Sequence, residues 1–419
     1  MNRLERFVYE RVKAQPWLKD SIVMLYRAIF SIIPGKTVIS KRPIKVRENY
    51  FFGFHDKCPW SGDNTKLLAH HFEIDNRPPL QGDEVMIGYF TGDDWSDFVP
   101  TITTKAWNWQ TGAMLQWIGL GNTFIFNDFD GKKHVSRIFD TDNRSTDELP
   151  LPIAGISPNG FYAVSYSFNR MKSRLGPTAY GYANGEEHDV DKNVSPSETL
   201  KLVNISNGKI IPLLKLKDIV LYNPDQSMND AYHYFTHALF SPESDKIVFF
   251  HRWINSSRQE FTRMFSCDLN GNNLFLFPTK NMVSHITWKN NDTILAFAEI
   301  NGVEQYYLLN DRNDNWNYLN EHLFSENGHP QYSIDGLIIT DTYPNRSGYL
   351  SLLLYDDKKK SVDVLAKLKR SGSFVGGIKC DLHPRWDRKG KYVSFDSAHT
   401  GTRSLCTICL LYTSDAADE

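Results

Sequence analysis

The stretch HPRWDRKGKYVSFDS, from His383 to Ser397, contains the pattern that the rest of the chain repeats. A histidine precedes a short apolar segment, a polar turn with a glycine follows, and an alternating segment typical of a β-strand comes next. Three other stretches have the same plan: HALFSPESDKIVFFHRW from His237, HITWKNNDTILAFAE from His285 and HPQYSIDGLIITD from His329. Successive histidines are 48, 44 and 54 residues apart, so the chain contains a long internal repeat.

A period of roughly 40–50 residues with several short strands per unit predicts an all-β protein, a β-propeller. Each unit offers an inner strand, a buried second strand and two outer strands, the last two as in MFSCDLNGNNLFLFP. The N-terminal half contains three looser units, the first of which is YFFGFHDKCPWSGDNTKLLAHHF. The sequence therefore predicts about seven blades, a common number for this architecture. The repeat alone indicates a scaffold, because a fold does not specify a function.

The composition limits the kinds of partner and compartment that the sequence predicts. Hydrophobic residues make up 41% of the 419 residues, enough for a packed core. The formal net charge is -2, so we expect no nucleic acid partner. Five cysteines are too few and too scattered for a disulfide framework, which favours a reducing compartment. Because no signal peptide is recognised, we expect a cytoplasmic protein.

The first 40 residues have a helical period and predict a short N-terminal helical extension. The apolar run in residues 22–33 is shorter than the ~20 residues that a bilayer span needs. Two interpretations remain open for this extension. It is either a helical cap on the propeller or an amphipathic segment, residues 3–33, in peripheral contact with the inner membrane.

The other end of the chain reads CLLYTSDAADE, residues 409–419, which resembles a translated sequencing adapter. We therefore expect the propeller to span residues 46–408, with residues 409–419 an artefact. On this interpretation the last blade is truncated and lacks its closing strand. An open sheet edge would make the protein less stable and more prone to aggregation.

Four segments resemble, in order, parts of the propeller-type oligogalacturonate lyases. They are NYFFGFHDKCPWSGDNTKLLAHH, HALFSPESDKIVFFHRW, SHITWKNNDTILAFAE and DLHPRWDRKGKYVSFDSAHTG, within residues 46–76 and 232–403. The turns ISPNG, FSPES and YSIDG are similar to those of TolB-like propellers in general. The middle of the chain looks more like propellers found with surface-polysaccharide gene sets.

The resemblance implies a metal-assisted β-elimination on a uronate-containing glycan, an acidic polysaccharide or oligosaccharide. A base removes the proton α to the carboxylate, and a divalent cation, of the manganese type, stabilises the developing charge. In that family three histidines and a glutamine hold the metal. His285 and His383 match two of those histidines, Asp381 replaces the third, and no glutamine precedes it. His329 is a further candidate ligand.

The resemblance leaves the base and its helpers to His237, His251 and Arg252, which lie on one predicted blade. Both strand ends are expected at the same mouth of the axial channel, where Arg252 would pair with a sugar carboxylate. A structural interpretation stands beside this one. A histidine that opens an inner strand can instead hydrogen-bond the next blade and hold the two blades together.

Two functions therefore remain open. The first is a lyase-like enzyme, favoured by the retained histidines and Arg252. The second is a non-catalytic propeller that binds glycan or protein during surface-polysaccharide biosynthesis, favoured by the lost glutamine and histidine. The convergence of His285, His329, Asp381 and His383 on one point would favour the first, and their divergence into blade interfaces would exclude it.

Overall fold

The computed structural model describes residues 36–175, 182, 192–320 and 326–410. Most of the predicted N-terminal helical extension, including residues 3–33, lies outside these ranges. Residues 38–40, which the sequence assigned to that extension, form a strand instead. No helix in the described ranges has the length and apolar character to cross a membrane.

The described residues form seven antiparallel sheets of four or five strands, which confirms the predicted seven-bladed β-propeller. We number the blades along the chain. In blades 1 to 5 the innermost strand comes first in sequence, whereas the outermost strands of blades 6 and 7 come from residues that precede blade 1. The inner strands of blades 3 and 4, of blades 5 and 6, and of blades 6 and 7 contact each other. Strands are short, and the second strand of most blades is buried along nearly its whole length, as expected of blades that stack on both faces.

The strands of blades 1 and 2, from the axis outward, are Tyr50–Phe51, Leu67–His71, Val85–Thr91 and Asp97–Thr104, then Gln116–Trp117, Thr123–Phe129, His134–Asp140 and Thr146–Leu149. Those of blades 3 and 4 are Gly155–Ile156, Tyr162–Ser165, Thr199–Asn204 and Ile210–Lys215, then Tyr232–Phe240, Lys246–Ile254, Glu260–Asp268 and Phe275–Leu276. The described residues of this half include two helices, Phe168–Leu175 inside blade 3 and Leu216–Leu221 after it.

The strands of blades 5 and 6 are Val283–Asn290, Thr293–Ile300, Val303–Asn310 and Trp316–Tyr318, then Gln331–Tyr332, Ile338–Asp341, Tyr349–Asp356 and Ser361–Lys369. Those of blade 7 are Arg385–Trp386, Tyr392–Ser397, Ser404–Cys409 and, as its outer strand, Ile44–Glu48. Three short 3-10 helices lie between strands, at Asp93–Trp95, Gln226–Met228 and Gly376–Ile378.

The ring closes through the N-terminal part of the described chain. Ile44–Glu48 pairs antiparallel with Ser404–Cys409, so blade 7 has four strands. Val38–Ser40 pairs with the outer strand of blade 6 and becomes its fifth strand. The expectation of a truncated last blade with an open edge was therefore wrong, because the missing strand comes from residues that precede blade 1.

The core lies between the blades and is rich in aromatic side chains. Phe249 of blade 4 stacks on Phe265 of the same blade, with ring centroids 5.6 Å apart. Trp107 and Trp109, which precede the inner strand of blade 2, are buried and meet edge to face at 4.9 Å. Contacts between blades, such as Trp95 of blade 1 edge to face with Tyr392 of blade 7 at 4.9 Å, fix neighbouring sheets against one another and so position the residues at the axis.

Candidate functional site

The four residues predicted as metal ligands come together at the axis. One ligand atom from each of His329, Asp381 and His383 lies within 4.8 Å of the other two. The His285 ring is next to them, with its centroid 4.0 Å from that of His329. All four side chains are buried. We call this set the axial cluster.

Local backbone irregularities place these side chains at the start of the inner strands. His285 lies where the strand register shifts in blade 5, and a β-bulge of this kind re-aims a side chain. His329 and His383 each precede an inner strand by two residues. His383 also has a φ of 44°, a left-handed conformation that is uncommon for a residue with a side chain. Such a conformation is often found at functional sites.

Asp341, at the end of the second strand of blade 6, orients the cluster. Its carboxylate accepts hydrogen bonds from the backbone N–H groups of His329, Leu382 and His383, at 2.8 to 3.1 Å. Nδ1 of His329 lies 2.8 Å from Oδ1 of the same carboxylate. When His329 donates through Nδ1, its Nε2 is left with a lone pair. Carboxylates that fix metal-binding histidines in this way are common.

The rings of His383 and His285 are also held through Nδ1. Nδ1 of His383 lies 3.0 Å from the carbonyl oxygen of Gly53, which can only accept, so Nδ1 carries the proton. Nδ1 of His285 lies 3.1 Å from Oδ1 of Asn327. In each ring Nε2 therefore remains as the nitrogen for a ligand. The two interpretations of these histidines are compatible, because one nitrogen holds the fold while the other serves the site.

The electrostatics of the cluster suit a cation. Burial, followed by the neighbouring His329, lowers the pKa values of His285 and His383 well below their usual range, so both imidazoles are neutral at pH 7. Burial alone would raise the pKa of Asp381, but Lys379 and then His329 outweigh it, and the pKa lies below its ordinary value. Neutral imidazoles and an ionised carboxylate are the ligand forms that a divalent metal requires.

The donor set fits the metal that the resemblance implies. Three imidazoles and one carboxylate can hold a first-row divalent ion such as manganese, iron or zinc. The carboxylate also has a competing partner, because Nζ of Lys379 lies 2.8 Å from Oδ2 of Asp381. A metal on Asp381 must therefore share this carboxylate with the lysine or displace it.

Phe54 and His55, which the sequence analysis did not single out, lie at the centre of the ring. The Phe54 ring has its centroid 5.0 to 6.1 Å from those of His237, His285, His329 and His383. The His55 ring is 5.3 Å from that of His329, and its Nδ1 bonds the carbonyl oxygen of Pro330. The available signal was the sequence FHDK, in which a histidine and two charged residues follow the inner strand of blade 1.

His237 is separated from the axial cluster by the Phe54 ring. It lies in a register shift of blade 4 with a φ of 52°, and its ring stacks on Phe250. Nδ1 of His237 is 2.8 Å from the hydroxyl oxygen of Thr236. Burial, followed by the nearby Arg252 charge, holds its pKa well below the usual range. His237 is therefore a neutral imidazole beside a narrow cavity that Phe54, Asp56 and Tyr166 also line.

Arg252 lies on the same side of blade 4 as Phe250, and its guanidinium pairs with Glu260 at 3.1 Å. It is close enough to His237 to influence the pKa of that imidazole. The position is consistent with the predicted role beside His237, although the pairing with Glu260 must loosen before Arg252 binds a sugar carboxylate.

His251 does not reach the axis, and its predicted place at the mouth was wrong. Arg263 donates from Nε to Nδ1 of His251 at 3.0 Å, and Nε2 of His251 is 3.0 Å from Nδ1 of His233. His233 in turn reaches the carbonyl oxygen of Met228 through its Nε2. This buried chain satisfies both rings. The physical reason is strand alternation, since His251 and Arg252 are neighbours and face opposite sides.

Together, the fold and the axial cluster define a seven-bladed propeller with a buried histidine–carboxylate centre at its axis. No family model matches the sequence, and no curated protein matches it. The chain is similar in structure to an oligogalacturonate lyase in complex with manganese, with a TM-score of 0.59 and 13% identity over 90% of this chain and 98% of that one.

An oligogalacturonate lyase from Vibrio parahaemolyticus gives a TM-score of 0.56 and 13% identity over 89% of this chain and 93% of that one. TolB from Acinetobacter baumannii gives a TM-score of 0.38 and 11% identity over 73% of this chain and 63% of that one. At such identities the likeness shows the fold alone. The predicted resemblance to the oligogalacturonate lyases is confirmed at that level.

Proposed function

We propose that the chain is a carbohydrate-active propeller that catalyses β-elimination on a uronate-containing glycan with the help of a divalent metal. The observation that carries the proposal is the convergence of His285, His329, Asp381 and His383 at the axis. Histidines that served only to join blades would have no need to gather with a buried carboxylate at one point. The fold shared with oligogalacturonate lyases is a further support.

The four residues of the axial cluster would hold the metal. A bound divalent cation would neutralise the sugar carboxylate and stabilise negative charge that develops next to it. Asp341 keeps the His329 ring in a fixed orientation, and the carbonyl of Gly53 does the same for His383. The protein thus offers a preorganised set of donors, which lowers the cost of binding the ion.

His237 is the candidate for the base. Its imidazole is neutral at pH 7, so it can accept the proton from the carbon α to the carboxylate. The C–O bond at the neighbouring carbon then breaks and a double bond remains in the uronate. The oxygen leaves with the rest of the glycan and takes a proton from solvent, and His237 later releases the proton it accepted to solvent. Arg252 lies beside His237 and would pair with an acidic group of the substrate.

The first experiment is the metal content of the purified full chain beside a His383→Ala variant. We expect one divalent ion per chain, lost in the variant, and elimination of uronate polymers detected by the ultraviolet absorbance of the unsaturated product. A metal-free wild type, or a metal-loaded wild type that forms no unsaturated product from a panel of uronate polymers, would contradict the proposal.

The second candidate function is a non-catalytic propeller that binds an acidic glycan in surface-polysaccharide biosynthesis. One observation favours it, namely that Asp381 is already paired with Lys379. Glycan binding by a chain that neither retains metal nor forms an unsaturated product would support this second function.

A further inference from the structure

Lys379 and Tyr343 lie at the outer edge of the axial cluster. Nζ of Lys379 is 2.8 Å from the buried carboxylate of Asp381, while the lysine side chain is 41% exposed. The same Nζ is 5.4 Å from the centroid of the Tyr343 ring. Tyr343 is 37% exposed, and its ring centroid is 5.8 Å from that of His329. A cation and a flat aromatic face therefore border the cluster on the side of the solvent.

The backbone beneath this lysine is fixed. The carbonyl oxygen of Lys379 accepts hydrogen bonds from Nε2 of Gln110 at 2.8 Å and from Nη2 of Arg403 at 2.7 Å. Both donors belong to buried side chains. Lys379 thus combines an anchored main chain with a half-exposed side chain, so its ammonium group can change partner without a movement of the loop.

We propose that Lys379 and Tyr343 form the subsite that binds the acidic sugar, with the ammonium paired to the sugar carboxylate and the ring packed on the sugar. This inference rests on the proposed function and assigns substrate specificity within it. Neither residue was among the candidates that the resemblance supplied. Lysine is a compact point charge and recognises a carboxylate by charge, while tyrosine offers an apolar face to a pyranose.

Asp381 links this subsite to the metal donors. In the structure its carboxylate is shared between the axial cluster and Lys379. Once Asp381 ligates a cation, its charge is compensated and the ammonium becomes available to a sugar carboxylate. Metal and acidic sugar should therefore strengthen each other's binding, and the coupling must be reciprocal. A neutral sugar should show little coupling.

The test compares galacturonate with galactose, which lacks the carboxylate; neither monosaccharide can be cleaved. Binding to the full chain is measured by calorimetry with and without Mn²⁺, for the wild type and for Lys379→Met, Lys379→Arg and Lys105→Met. Lys105 is a matched control that lies away from the axial cluster. Its side chain is 44% exposed, and its Nζ is 3.2 Å from Oε1 of Glu84.

We expect Lys379→Met to bind galacturonate about tenfold more weakly, the equivalent of one charge-assisted contact, with galactose unaffected. Lys379→Arg should keep the preference for the acid, and Lys105→Met should match the wild type. Mn²⁺ should bind Lys379→Met more tightly than Lys105→Met, because Asp381 has lost a competing cation.

The outcomes separate the two proposals. A wild type that binds galacturonate while Lys379→Met binds it equally well overturns the subsite and leaves the proposed function standing. A wild type that binds neither sugar also overturns the subsite, whereas the proposed function is overturned only by a wild type that lacks metal or forms no unsaturated product. Equal melting temperatures for the Lys379 variants and the wild type establish that a loss of binding does not reflect unfolding.

Discussion

At the scale of single residues, the axial histidines divide their two nitrogens between structure and site. Nδ1 of His383 bonds a backbone carbonyl of blade 1, and Nδ1 of His329 bonds Asp341 of its own blade. Nε2 is left for a ligand in both rings. A sequence pattern that marks these histidines as structural therefore does not argue against a functional role, because one ring can serve both.

Asp341 offers a direct test of this orientation. We expect Asp341→Asn to weaken Mn²⁺ binding by roughly 10–100-fold, because the amide nitrogen cannot accept the hydrogen bonds that the second carboxylate oxygen receives. Metal titration of wild type and variant measures the change. Asp130→Asn, in an exposed turn of blade 2, is the control. An unchanged affinity in Asp341→Asn would show that this carboxylate does not orient the ligands.

His70 provides a test of acid stability away from the axial cluster. Its Nε2 accepts from the backbone N–H of Ala113 and its Nδ1 faces the carbonyl of Phe51. Burial lowers its pKa to about 3. In the unfolded chain the pKa of this histidine is about 6.5. As the pH falls from about 6.5 to about 3, the unfolded chain binds a proton there and the folded chain does not, so the free energy of unfolding decreases.

Replacement by His70→Gln keeps a donor and an acceptor but removes the titration. We expect the unfolding free energy of this variant to fall less steeply over the same pH range, by at most about 1.4 kcal/mol per pH unit relative to the wild type. Urea denaturation at a series of pH values measures the slope. Parallel curves for the two proteins would show that His70 does not resist protonation in the fold.

The residues that sequence could and could not identify differ in a physical way. His285, His329 and His383 recur at fixed places in the repeat, so their convergence followed from the predicted architecture, and Asp381 was identified through the resemblance. Asp341 gave no such signal, because its role depends on a contact between the second strand of blade 6 and the segment that precedes blade 7. Contacts of this kind are set by three-dimensional packing and not by local pattern.

At the scale of elements, the sequence predicted the strands of the blades but misplaced one side chain and missed the closing strand. The second strand of blade 4 was predicted, but two neighbouring residues in it, His251 and Arg252, were assigned to the same mouth. Their side chains point to opposite faces of the sheet, so Arg252 lies on the face of Phe250 and His237, whereas His251 contacts Arg263 and His233. The closing strand was missed for a different reason. It was sought at the C-terminal side, whereas Ile44–Glu48 supplies it.

Disruption of that closing strand should be costly. Lys45 pairs with Thr407 across the outer ladder of blade 7. We expect Lys45→Pro to lower the free energy of unfolding by about 2 kcal/mol or more, because proline cannot donate to the ladder. The same change at Lys41, between two strands, should cost less than about 1 kcal/mol. Equal denaturation curves for both variants would show that closure by this strand contributes nothing to stability.

At the scale of the whole molecule, the axial cluster joins three blades. Its ligands come from the inner strand of blade 5 and from the segments that precede the inner strands of blades 6 and 7. A metal held there would tie these blades together and bind only the folded ring. Ligand binding to the native state alone raises stability in proportion to the logarithm of the ligand concentration.

We therefore expect Mn²⁺ at a hundredfold excess over its dissociation constant to raise the free energy of unfolding by about 2.7 kcal/mol, and a chelator to reverse the effect. Urea denaturation with and without the ion measures the difference. The His383→Ala variant should not respond. A comparable gain in that variant would place the stabilising ion elsewhere on the protein.

The ring closure also dictates an order of events during synthesis. Val38 and Ile44 leave the ribosome early, but their partners Leu368 and Ile408 are among the last residues of the propeller to be made. At roughly 5–20 residues per second, the two strands wait for tens of seconds without partners. The nascent chain thus exposes unpaired, aggregation-prone strands while six blades are synthesised. Chaperones that cover these strands would raise the yield of closed propellers.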